Sequence, residues 1–328
     1  MIEPDDTDRA GGLAPPRPGP AHPVRRTGAA PVINHETKTA YVIDVEQPAE
    51  TARLMEQSKL FTQAMGGPFP DALDLSGVRR VLDLACGPGE WATQVAFDYP
   101  EWEVLGVDNN VTMVNYAMAS ARSQGRPNVS FEPMDITGPL SFADASFELI
   151  HARFIVGFQN TASWPVLLSE CRRVLAPGGI LLLCEAERGV SSSPALQRLE
   201  GWLTRTLFEQ GRTFSVDGQT IGLVHQLGRL LHEAGFVARG QCPFLLDASC
   251  GSPLYASSVR EFEVTYALLQ PYLVASGVVD AATYTSCYHQ MLAETQQDDF
   301  RCLAFGVSAW GVRPEQETSG KEEPSNAG

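Results

Sequence analysis

The chain has 328 residues, 44% of them hydrophobic and 19% charged, enough to bury a sizeable core in one large domain or two small ones. Its 39 acidic against 24 basic side chains leave a formal charge of −15, a surface that repels phosphate backbones and argues against nucleic acid as a partner. No apolar run reaches the roughly 18 residues that span a bilayer and no signal-peptide core is visible, so a cytoplasmic chain with no membrane partner is expected. The cysteines (86, 171, 184, 242, 250, 287 and 302) are dispersed without a CxxC pair, and the histidines lack HxxxH or HExxH spacing. Reduced, mostly buried thiols and no metal site are expected.

Residues 1–37 hold seven prolines and four glycines before residue 32 and predict a disordered leader. Residues 38–75 predict a helical covering segment, with an amphipathic helix over 49–65 burying Leu54, Leu60 and Phe61. From 76 to 190 apolar runs alternate with helical patterns. Strands are expected at 79–84, 103–107, 129–132, 147–151 and 180–185, and helices near 89–98, 110–123 and 162–174. The turn Pro177-Gly178-Gly179 should precede the fifth strand. The rhythm then changes. Helices near 193–210, 219–234, 257–275 and 279–295 interleave with a sixth strand near 237–246, and residues 191–300 predict a helical substrate lid. A final strand begins at Cys302 within 301–313, and 314–328 read as a flexible tail. The fold class is therefore α/β: a Rossmann-like, doubly wound, mostly parallel seven-stranded sheet with helical lid insertions.

The most informative stretch is Val81-Leu82-Asp83-Leu84-Ala85-Cys86-Gly87-Pro88-Gly89-Glu90. An apolar strand ends in an acid, then a glycine turn opens a helix. Nineteen residues past Gly89, a second apolar run ends in Asp108. Gly87 and Gly89 permit a sharp bend and close approach to main-chain N–H groups. The Lys-Ser/Thr of a phosphate-binding loop is missing. Asp83 opposes a pyrophosphate, which disfavours a nicotinamide dinucleotide, but it attracts an ammonium. S-adenosyl-L-methionine carries an ammonium and a sulfonium and no phosphate. Asp108 at the second strand tip suits ribose hydroxyls.

Leu82 through Gly89 closely resembles motif I of the class I S-adenosylmethionine-dependent methyltransferases, of small-molecule type. Gly106-Val107-Asp108 resembles their acidic second-strand motif, and Met134-Asp135-Ile136 their adenine site. Phe142 through Ile150 and Arg173 through Gly179 are similar to the approaches to strands four and five. The resemblance is strong over about residues 76–187. It implies that Asp83, Ala85, Gly87, Gly89, Asp108 and Asn109 meet the cofactor, with Asp135 on the exocyclic amine and Ile136 against the ring. A looser likeness of 40–66 to a cofactor-covering segment makes Tyr41 and Gln57 candidates, Tyr41 for the methionine carboxylate.

His151 and Arg153, at the tip of the fourth strand, are the catalytic candidates. His151 has a base's useful pKa range. Arg153 would face the cofactor or an acidic group of the substrate. Gln270-Pro271-Tyr272 faintly resembles the NPPY-type motif of amino-methylating nucleic-acid enzymes, but it does not follow the fourth strand and is discounted. The function expected is methyl transfer to a small, largely apolar metabolite in an enclosed pocket, by in-line displacement. The alternatives are a protein side chain as acceptor, or a methyltransferase-like binding protein without turnover. A homodimer is compatible with the sequence.

Overall fold

A computed structural model describes residues 42–43 and 48–315. The expected leader over 1–37, Tyr41, and residues 316–328 of the expected tail lie outside the described residues. Helix α1 (Pro48–Ala64) comes before the sheet. Then β1 (Arg80–Leu84), α2 (Glu90–Asp98), β2 (Glu103–Asp108), α3 (Val111–Ser123), β3 (Val129–Pro133), β4 (Phe147–Arg153), α4 (Trp164–Val174) and β5 (Leu175–Ala186) alternate. The chain continues through β6 (Val190–Ser191), α5 (Pro194–Glu209), α6 (Leu227–Glu233), β7 (Val237–Asp247), α7 (Tyr255–Ala275), α8 (Ala281–Thr295) and β8 (Cys302–Val312).

One sheet runs in the order β3-β2-β1-β4-β5-β8-β6, with β7 paired to β8 outside that path. Strands β3, β2, β1, β4 and β5 are parallel, and β8 runs antiparallel to β5, β6 and β7. The sheet has eight strands instead of the seven expected. The additional one, β6, is two residues long and pairs with the Cys302–Leu303 end of β8, too short to leave a periodic signal.

Strand periodicity sorts the core onto the two faces of the sheet. Leu82, Leu84, Leu105, Val107, Ile150, Leu181 and Leu183 face the buried stripes of α4 and α6. Val81, Val104, Leu149 and Leu182 face Trp91, Val95, Val114 and Ala117 of α2 and α3. A third cluster joins α1, α5, α7 and α8 through Leu60, Leu199, Leu269, Leu273, Tyr284 and Met291. Parallel strands need long crossovers, so their carboxyl ends collect the loops. The chain winds from β1 outward to β3, then returns to β4 on the other side of β1. The crevice above β1 and β4 is thus the topological switch point, where ligands of such sheets bind.

Two expected elements differ. The helix expected over 219–234 is confined to Leu227–Glu233. Gly222 sits at φ +69°, where an added Cβ would lie 2.7 Å from the Ser215 nitrogen. The N–H groups of Ile221 and Gly222 donate to the Glu187 carboxylate, each at 2.7 Å, in place of helical carbonyls. Strand β5 begins at Leu175 and takes in the expected Pro-Gly-Gly turn, which becomes a register shift in its pairing with β4.

Candidate active site

A cavity of about 470 Å³ opens at the switch point, within the range of small-molecule sites. Its floor comes from the loops after β1, β2, β3 and β4, and its roof from Leu54 and Gln57 of α1, Leu203 and Leu207 of α5, and Thr265 and Leu269 of α7. Gln57, Asp83, Ala85, Gly87, Asp108, Asn109, Asp135, Ile136, His151 and Arg153 all line it. Gly89 does not, and Tyr41 lies outside the described residues.

The loop after β1 is built by backbone demands. Ala85, Gly87 and Gly89 have φ of 54°, 53° and 80°, so three of five residues are left-handed. The Cys86 N–H donates to the Val107 carbonyl at 2.9 Å, tying the bend to β2. The Gly87 N–H donates to Asp108 Oδ2 and the Asn110 N–H to Asp108 Oδ1, both at 2.9 Å. Burial pushes the Asp108 carboxyl up, and these two N–H groups hold it down in part. Each oxygen retains acceptor capacity. Gly89 caps α2 from behind the cavity wall. A Cβ there would lie 2.6 Å from the Phe131 ring and 2.8 Å from Ala117 Cβ, so its role is close packing of α2 against β3 and α3.

Asp83 and His151 are paired across β1 and β4, on the face that α2 covers. His151 Nδ1 lies 2.8 Å from Asp83 Oδ1, and both side chains are buried. As a carboxylate, Asp83 only accepts, so Nδ1 carries the proton. The Trp91 ring stacks on the imidazole at 3.7 Å, 13° from parallel. Burial lowers the His151 pKa, with Asp83 opposing that shift. The ring is therefore neutral near pH 7 and oriented, with Nε2 as its basic atom.

Arg153 is held by α1. Its Nη1 donates to Thr62 Oγ1 at 3.0 Å and its Nη2 to Ser58 Oγ at 2.7 Å. Arg53, also on the wall, is clamped by Glu50 at 2.6 Å and Glu261 at 2.5 Å, which fastens α1 to α7. Gln57 donates to the same Glu261 oxygen at 2.9 Å. Asp135 accepts from its own loop at Thr137. Behind β4, Phe154 is left-handed at φ 57°, and the buried Glu185 accepts the Ile155 N–H at 2.8 Å.

Trp91, Ser58, Thr62, Arg53 and Glu261 were not among the residues picked from sequence. Ser58 and Thr62 sit one helical turn apart on one face of α1, a signal that becomes legible only once Arg153 is known to reach them. Among the described residues, no group of three or more His, Cys, Asp or Glu is placed to hold a metal ion, and no helix is long and apolar enough to cross a membrane.

Residues 81–179 match the model of the methyltransferase-domain family. The chain is 32% identical over 170 residues to methyltransferase cpsF of Aspergillus campestris, covering 50% of this chain and 59% of that protein. It is 30% identical over 166 residues to methyltransferase str2 of Strobilurus tenacellus, covering 49% and 56%. Demethylmenaquinone methyltransferase of Deinococcus radiodurans is 37% identical over 107 residues, covering 33% and 43%. The chain thus spans about half the length of the curated relatives it matches.

Proposed function

We propose that the chain, whose residues 81–179 match the methyltransferase-domain family, is a class I S-adenosylmethionine-dependent methyltransferase that methylates a small, largely apolar metabolite enclosed in the cavity. One observation carries this reading. The glycine bend pinned to Asp108 shares a single cavity with an apolar roof supplied by α5 and α7. Demethylmenaquinone, the substrate class in one relative's name, is likewise largely apolar. We divide the chain accordingly into the core over 76–190, a covering segment over 38–75 and a lid over 191–300.

The donor set fits the cofactor by charge. Asp83, Glu90, Asp108 and Asp135 on the wall give a cationic, phosphate-free nucleoside a favourable field. Asp108 and Asn109 would take the ribose, Asp135 and Ile136 the adenine, and Asp83, Gln57 and the main chain at Ala85 and Gly87 the methionine end. S-adenosylmethionine supplies a methyl group on a good leaving group. The protein's work is then alignment and exclusion of water. Where the acceptor is a hydroxyl or amine, His151 takes its proton. Asp83 fixes the imidazole's tautomer and steadies the charge that develops.

Calorimetry with S-adenosylhomocysteine tests the assignment. We expect 1:1 binding, weakened at least about tenfold in Asp108→Ala, equivalent to about 1.4 kcal/mol. Circular dichroism checks that the variant is folded. A folded variant with unchanged affinity would refute the site. Incubation with methyl-labelled cofactor and a small-molecule extract tests turnover, and label found only on protein would point to a side-chain acceptor instead.

A further inference from the structure

The cavity's two arginines are treated differently. Arg53 is neutralised by Glu50 and Glu261. Arg153 is only partly buried, and the hydrogen-bond partners of its guanidinium are the neutral hydroxyls of Ser58 and Thr62. Among the described residues no carboxylate stands within ion-pair distance of it. Asp83, the acid that acts on it through space, already has one oxygen committed to His151. A partly desolvated cation without a counter-ion is unfavourable, and hydroxyls solvate it without cancelling its charge. A guanidinium has five N–H donors. Two are used here, and the residue lines the cavity.

We propose that the acceptor carries a carboxylate on an otherwise apolar body, and that Arg153 receives it. The inference rests on the methyltransferase reading above and adds the acceptor's chemical class. Charge selects a monoanion over a phosphate. A single unpaired guanidinium stands against four acidic side chains on the wall, and a dianion would be repelled by them. Geometry selects the carboxylate, whose two oxygens match the planar fork. The apolar body has surroundings ready beside it. Phe154 lines the cavity and meets Phe61 edge to face at 4.6 Å, and Val156, Leu203 and Leu207 also line it.

The test uses the full chain saturated with S-adenosylhomocysteine, with octanoate and octan-1-ol as matched probes in calorimetry. The wild type should bind octanoate at least about tenfold more tightly than the alcohol. Arg153→Met should lose that preference while retaining S-adenosylhomocysteine affinity within about threefold, and Arg153→Lys should restore part of it. Three results would overturn the inference. They are equal binding of acid and alcohol by the wild type, an undiminished preference in Arg153→Met, and a large loss of S-adenosylhomocysteine affinity in that variant, which would assign the arginine to the cofactor's own carboxylate. None of these touches the methyltransferase reading, which fails separately if the wild type does not bind S-adenosylhomocysteine at all.

Discussion

Replacing Glu185 with glutamine should flatten the pH dependence of stability. Burial pushes this carboxyl from its ordinary 4.5 up to about 8, with the Ile155 and Val156 N–H groups pulling the other way. An acid whose folded pKa is raised keeps its proton in the native state and surrenders it on unfolding. Between pH 4.5 and about 8 the unfolded chain therefore binds fewer protons, so stability falls as pH rises. The full window corresponds to at most about 5 kcal/mol at 1.36 kcal/mol per unit. Between pH 6 and 8.5 the wild type should lose about 3 kcal/mol through this group, or about 1 M in urea midpoint for a slope near 3 kcal/mol/M. Glu200, raised by burial to about 7, contributes in the same direction and leaves a residual slope. Glutamine offers the same acceptor to the Ile155 N–H and has no proton to lose. Glu185→Gln should match the wild type near pH 6 and exceed its stability by about 2–3 kcal/mol at pH 8.5. Urea titrations by tryptophan fluorescence at both pH values would measure this. Two parallel losses would show that Glu185 is already ionised in the native state, and would refute the argument.

Gly89→Ala should be costly for a reason separable from its left-handed backbone. The new Cβ meets Phe131 at 2.6 Å and Ala117 at 2.8 Å, whereas at Gly125, φ +64°, nothing lies within 4 Å. Backbone strain of about 1–2 kcal/mol applies to both, and overpacking adds about 1–3 kcal/mol at residue 89 alone. Differential scanning calorimetry should show the larger drop in melting temperature for Gly89→Ala, and equal drops would count against the packing role. For His151, nitrogen NMR at pH 7 should show a neutral ring protonated at Nδ1. Asp83→Asn, which removes the partner opposing the burial shift, should lower the His151 pKa further. An imidazolium in the wild type at pH 7 would remove it as a base.

What could be read from the amino-acid order alone follows physical lines. Strands β1, β2 and β5 are buried over most of their length, so they read as mainly apolar runs bounded by turn residues. The bend after β1 is legible because left-handed positions in succession demand glycine or a small residue, and Ala85, Gly87 and Gly89 meet that demand. The stretch 219–226 misleads because Leu223, Leu227, Leu230 and Leu231 are spaced like a helix, while the competing hold of Glu187 on Ile221 and Gly222 comes from a distant part of the chain. Strand β8 fills the expected 301–313 span, and its glycines admit neighbours. Gly306 lies against the Phe244 ring and Gly311 against Phe236, contacts a larger residue would block. The partners of the site side chains, Trp91 on His151 and Ser58 and Thr62 on Arg153, are likewise tertiary.

The arrangement of charge around the cavity suits the two oppositely charged ligands proposed above. Asp108 ends β2, Asp135 follows β3, and Asp83 is the penultimate residue of β1, on one side of the switch point. Arg153 ends β4, on the other side, and is held there by α1. Asp83 and His151 are register partners at the boundary between β1 and β4, where the two regions meet. A cationic nucleoside is drawn to the first region, and an anionic acceptor is drawn to the second. The same α1 that grips Arg153 is clamped to α7 through Arg53 and Glu261. The helix that positions the guanidinium is thereby anchored to the roof, and the partial desolvation of Arg153 strengthens whatever ion pair it forms there.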